Sequence, residues 1–243
     1  MPARGATPAI LLPGLDGSGR MYGPLVAAAP RGLGVRLVSF PPDQPLGYDD
    51  LLPLARAALP ARGRFVLLAE SFSGPLAIRL AAERPRGLVA LVLAATFLHR
   101  PLNPILHPLR ALVGARMFGL PMPGAAVRHF LAGPDAPNAI VDEVRQAMAA
   151  VSPEVVAHRS REALEVDVRE TLARVDAPLL YLAPTRDRLI RTDVADEILS
   201  IRPDAEVALL DAPHMILQRC PHACLDRIEA FLARSGTSSG ALA

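Results

Sequence analysis

The chain has 243 residues, of which 51% are hydrophobic and 21% charged; this suits one α/β domain with an insertion and excludes both a disordered chain and a membrane bundle. Its net charge of +2 is set by 26 basic and 24 acidic residues, the basic ones all arginine, and gives no general attraction for nucleic acid. No apolar run approaches the roughly 18 residues of a spanning helix, so no membrane span is expected; two cysteines without a disulfide framework make a reducing cytoplasm the expected compartment.

A first strand is expected over Ala9–Leu12. The loop after it, Pro13-Gly14-Leu15-Asp16-Gly17-Ser18-Gly19, is glycine-rich and can present a backbone N–H to an oxyanion. Phosphate binding is the competing reading. However, this spacing is not the dinucleotide fingerprint, and a chain without lysine has no Walker lysine. Asp16 reads as a turn residue before Gly17. A helix over 21–29, a strand over 35–40, a helix over 48–59 and a strand over 64–69 follow.

The strand at 64–69 runs into Glu70-Ser71-Phe72-Ser73-Gly74 and a helix over 72–83. A sharp strand-to-helix turn can hold a serine hydroxyl above a sheet, provided small residues sit two before and two after it. Ala69 and Ser73 meet that need around Ser71. The ordinary alternative is a βα turn capped by Ser71 or Ser73. Glu70 is expected to face away from the Ser71 hydroxyl and to ion-pair.

A strand over 88–95 precedes an interval with no strand signal. Helical patterns at 105–117, 125–131, 139–151 and 153–175 fill it, so the interval reads as a helical cap inserted into the sheet domain. No acidic residue occurs between Glu83 and Asp135. Leu109, Leu112, Val113 and Met117 recur at helical spacing and are expected to line a pocket. Arg110, Arg116 and Arg128 are expected on the outside, where an acidic carrier would dock. A solvated arginine-rich surface is the plainer alternative.

A strand over 179–183 leads into a loop carrying Asp187. A helix over 192–200 and a strand over Glu206–Leu210 follow, and His214 comes next, before a helix over 217–233. The strands are continuous apolar runs, as expected of a doubly wound, mostly parallel sheet buried on both faces. Loops at the C-terminal strand ends of such a sheet carry function. Here three of them hold Ser71, Asp187 and His214. Serine can be a nucleophile, histidine can take and return a proton near neutral pH, and a carboxylate can orient that histidine. Cys220 and Cys224 lie four apart, which suits one helix face and not a disulfide framework. With His222 they lack a fourth ligand at zinc spacing, and no metal is expected.

These segments together resemble the α/β-hydrolase superfamily over the whole chain apart from the cap. Pro13-Gly14-Leu15 lies where that family has its oxyanion loop, and 69–74 lies at its nucleophile elbow. Pro178 to Ile190 resembles its acid segment, and His214 with Pro221 its histidine segment. The resemblance implies a serine hydrolase that cleaves a carboxylic ester or thioester through an acyl-enzyme on Ser71. His214 would be the base, Asp187 its partner, and the Leu15 and Phe72 N–H groups the oxyanion hole. No cofactor is implied. The implied division is a core over 1–96 and 172–234, a cap over 97–171 and a disordered tail over 235–243. The cap is similar to that of esterases acting on acyl carrier protein esters, such as the pimeloyl-carrier methyl ester esterases. Acyl transfer with the same triad, or a silent ligand-binding protein of the same fold, are the alternatives.

Overall fold

The computed structural model describes residues 7–30, 33–100 and 118–235. Six strands form one parallel sheet in the order β2-β1-β3-β4-β5-β6. They are β1 (Ala9–Leu12), β2 (Val35–Leu37), β3 (Phe65–Glu70), β4 (Leu88–Ala94), β5 (Leu179–Pro184) and β6 (Glu206–Leu210). β1, β3 and β5 are buried along their whole length. With period two, Ile10, Leu67, Leu91 and Tyr181 face one layer. Leu11, Val66, Val92 and Leu180 face the other.

The first layer is covered by α2 (Tyr48–Ala57) and α3 (Ser73–Ala82), and by α7 (Arg169–Leu172) and α8 (Val194–Ile201), through Leu51, Leu76, Leu80, Leu172 and Ile198. The second is covered by α1 (Gly23–Ala28), α9 (Ile216–Arg219) and α10 (Pro221–Arg234), through Leu25, Ile216, Leu225, Ile228 and Phe231. The chain leaves β1 toward one layer and β3 toward the other. Strand order therefore reverses between these two neighbours, which opens a crevice at their carboxyl ends.

Between β4 and β5 lie α4 (Gly124–Ala126), which widens into a π-type turn over Val127–Ala132, then α5 (Asn138–Ala149) and α6 (Pro153–Glu165). Ser152 caps α6, its hydroxyl accepting from the Val155 N–H, with Pro153 at the first helical position. The expected single helix over 153–175 is in fact two. Val166-Asp167-Val168 interrupts it, and the Asp167 carboxylate accepts from the Arg169 N–H to start α7. This break joins the two ends of the inserted segment. His99 bridges to Asp167, and the Val168 N–H donates to the Leu98 carbonyl at 2.8 Å. Leu109, Arg110, Leu112, Val113, Arg116 and Met117 lie outside the described residues. So does the tail beyond Ser235.

No helix of the described residues is long and apolar enough to cross a membrane. Among them no cluster of His, Cys, Asp or Glu could hold a metal ion.

Candidate active site

Ser71 follows directly on β3 and has φ 53°, a left-handed conformation that is costly for a residue with a Cβ. The surroundings hold it there. Its N–H donates to the Ala94 carbonyl at 3.0 Å. Its carbonyl accepts from the Gly74 N–H at 3.0 Å and from the Thr96 hydroxyl at 2.6 Å. A methyl group at Gly74 would overlap the Thr96 side chain, so glycine is required where α3 passes this loop. Ser73, the other candidate hydroxyl, is fully buried and donates to the Pro13 carbonyl. It ties the elbow to the glycine-rich loop and does not face the cavity.

His214 sits in the loop after β6, with Nε2 3.0 Å from Ser71 Oγ and Nδ1 2.7 Å from Asp187 Oδ2. A carboxylate only accepts, so the Nδ1–H donates to Asp187 and Nε2 of the neutral ring is free to accept from Ser71. The second oxygen of Asp187 accepts from the Leu189 and Ile190 N–H groups at 2.8 and 2.9 Å. These bonds aim the carboxylate. The neighbouring cations are committed elsewhere: Arg186 pairs with Asp211, and Arg188 meets His129. Burial by itself would lower the His214 pKa. The charge and hydrogen bond of Asp187, with the charge of Glu70, outweigh it and raise the pKa above the ordinary histidine value.

The ion pair expected of Glu70 does not form: among the described residues it has no cationic partner, and it lines the same cavity as Ser71. It is buried, accepts from Gln218 Nε2 at 2.9 Å and faces the Tyr22 hydroxyl. Burial, the dominant influence, pushes its carboxyl above the usual range against these bonds. Tyr22 in turn accepts from the Gly14 N–H at 3.1 Å. Asp16 is a turn residue, as expected, with its carboxylate accepting from the Ser18 N–H at 2.9 Å. It is also buried, and its Oδ1 has no partner.

Leu15 and Phe72 flank Ser71 from the two loops. Among the described residues, neither N–H meets a protein acceptor. Two tyrosine and arginine contacts that the sequence did not signal surround them. Tyr48 stacks on Phe72 with ring centroids 4.8 Å apart, and its hydroxyl donates to the Phe72 carbonyl at 2.9 Å. Arg159, on α6, is wholly buried and donates to the Leu15 and Pro41 carbonyls at 3.1 and 2.9 Å.

A cavity of about 390 Å³ opens above Ser71 and His214. Its walls are Met21, Phe97, Leu189 and Met215 from the sheet side, and Phe118, Met122, Phe130, Val144, Met148 and Leu164 from the inserted helices. That size and apolar lining suit a small organic ligand. Asp16 and Glu70 also line it, and no arginine does among the described residues. Arg128 is half-buried, and its guanidinium donates to Asn138.

The family model described as "Alpha/beta hydrolase family" matches residues 9–227. Among solved structures, the enol-lactonase from Burkholderia xenovorans LB400 superposes with a TM-score of 0.80 at 20% identity, covering 94% of this chain and 92% of that one. MenH from S. aureus gives 0.75 at 16% identity, covering 95% and 94%. A thermophilic esterase from Thermogutta terrifontis gives 0.77 at 19% identity, covering 95% and 90%. These likenesses are of fold. No curated protein sequence matches the chain.

Proposed function

Because the chain belongs to the alpha/beta hydrolase family, we propose that it is a serine hydrolase cleaving a carboxylic ester or thioester through an acyl-enzyme on Ser71. The observation that carries this reading is the unbroken relay Ser71–His214–Asp187, at 3.0 and 2.7 Å, on the floor of an apolar cavity. The segment 97–171 acts as the cap that closes the cavity.

Ser71 Oγ attacks the acyl carbon while its proton passes to His214 Nε2, and Asp187 stabilises the imidazolium. The carbonyl oxygen becomes an oxyanion received by the unpartnered N–H groups of Leu15 and Phe72. On collapse His214 returns the proton to the leaving alcohol or thiol. Water then attacks the acyl-enzyme, gives a proton to His214, and the free acid departs as Ser71 is restored. An alcohol in place of that water gives acyl transfer, which product analysis separates from hydrolysis. A silent binding protein of this fold would leave Ser71 inert to a fluorophosphonate probe; the proposed enzyme is labelled there and loses the label in Ser71→Ala.

The cavity walls select an apolar acyl or alkyl group. An acidic acyl carrier protein as the source of that group would use Arg110, Arg116 and Arg128, and would place the enzyme in the cytoplasm. Of these three, Arg128 is held by Asn138, and no contact in the described residues reserves it for a partner.

A further inference from the structure

An N–H can stabilise an oxyanion only if its peptide plane is fixed before charge develops. Leu15 N–H shares a planar peptide with the Gly14 carbonyl, so the two point in opposite directions. The Gly14 carbonyl is occupied by the Gly17 N–H at 3.0 Å. The peptide on the other side of Leu15 is fixed by its own carbonyl, which accepts from Arg159. Phe72 repeats the arrangement. Its N–H shares a plane with the Ser71 carbonyl, bound by Gly74 and Thr96, and its own carbonyl is held by Tyr48.

Both side-chain clamps lead to α6. Arg159 belongs to it. Glu162, three residues on and so on the same face, accepts from the Tyr48 N–H at 2.9 Å. The adjoining face carries Ser160, Ala163 and Leu164 into the cavity wall. Arg159 also fills the space beside Gly17: a Cβ there, at φ 72°, would lie 2.5 Å from its guanidinium. Among the described residues Arg159 makes no ion pair with a carboxylate in bonding range. Burial lowers its pKa to about 10, with Asp16 the opposing charge. A buried guanidinium that bonds to two backbone carbonyls is a costly device for packing alone.

We propose that Arg159 is a positioning residue that fixes Leu15 for oxyanion binding, making α6 at once a wall of the substrate cavity and the brace of the oxyanion hole. This rests on the serine-hydrolase reading above. A substrate that seats against Leu164 thereby also seats the helix that holds Leu15.

The test compares wild type, Arg159→Met and Arg159→Lys on a short p-nitrophenyl ester, with two inhibitors of the same chain length. One is a trifluoromethyl ketone, which forms an oxyanion adduct on the serine. The other is an alkyl ether, which fills the cavity and forms none. The expected result is a fall in kcat of about 10²-fold for Arg159→Met, a parallel loss of ketone affinity, and KM and ether affinity within about twofold of wild type. Arg159→Lys should recover part of the loss. Unchanged kcat, or ketone and ether affinities falling together, would overturn the proposal. Should Arg159→Met not fold, Glu162→Ala is expected to show the same split through Tyr48 and Phe72, and a uniform loss there overturns it equally. If Ser71→Ala retains wild-type turnover, the hydrolase reading fails instead, which the ketone and ether affinities of the Arg159 variants do not affect.

Discussion

Ser73 donates its hydroxyl to the Pro13 carbonyl, so the residue two beyond the elbow serine is the pin between the two loops that face each other across Ser71. The two hydroxyls therefore have opposite duties. Ser71→Ala is expected to lower kcat by about 10⁴-fold or more with stability unchanged. Ser73→Ala leaves a buried carbonyl without its donor and should cost about 1–3 kcal/mol of stability, with fluorophosphonate labelling of Ser71 preserved. Labelling that disappears in Ser73→Ala and persists in Ser71→Ala would reverse the assignment.

The pH dependence follows from His214. Only the neutral ring can accept the Ser71 proton, so kcat/KM should rise with pH along a limb set by the His214 pKa, displaced above the ordinary histidine value. The Glu70 charge contributes to that displacement. Glu70→Gln should therefore move the limb to lower pH. A limb that stays in place in this variant would mean that Glu70 carries no charge where His214 titrates.

Glu70 also makes a claim on stability. Burial raises its folded-state pKa, so the folded protein holds this proton more tightly than the unfolded chain. The resulting contribution is fully present below the unfolded carboxylate pKa of about 4.3. It is lost as pH rises through the raised folded pKa. Glu70→Gln should accordingly gain on wild type in Tm as pH is raised from 4 into the alkaline range. A Tm difference that does not change with pH would show that Glu70 titrates alike in both states.

Much of this site was legible because its residues hang on strand ends. Leu67, Leu91 and Leu180 lie in apolar runs buried on both faces, so the runs marked the strands and the strands marked the loops holding Ser71, Asp187 and His214. Arg159 and Glu162 were not legible, since they act across 144 and 114 residues of sequence. A local trace did exist: Arg159 shares its helix with the buried Val155, Val156 and Ala163, and an arginine among apolar neighbours needs acceptors. Helical periodicity ran past Val166 because propensity does not see the bridge between His99 and Asp167. Ala69 and Ser73 read as the small residues of the elbow, whereas the tightest approach is at Gly74, set by Thr96 from the loop after β4.

Substrate charge gives the last prediction. The cavity wall holds the carboxylates of Asp16 and Glu70, and among the described residues it holds no arginine. Asp16 Oδ1 is buried without a hydrogen-bond partner, and the nearby Arg159 spends its own donors on the Leu15 and Pro41 carbonyls. Two unit charges about 6 Å apart interact by about 3 kcal/mol at an effective dielectric of 20, an upper bound for a site that water enters. A neutral monoester should therefore be preferred over an ester of equal length ending in a carboxylate, by about tenfold or more in kcat/KM. Asp16→Asn removes one of the repelling charges at nearly constant shape. It should raise kcat/KM for the anionic ester and leave the neutral one within about twofold, and added salt should narrow the gap in the wild type. An anionic ester preferred by the wild type would overturn this reading, and a dicarboxylate-derived acyl group would become the substrate of choice.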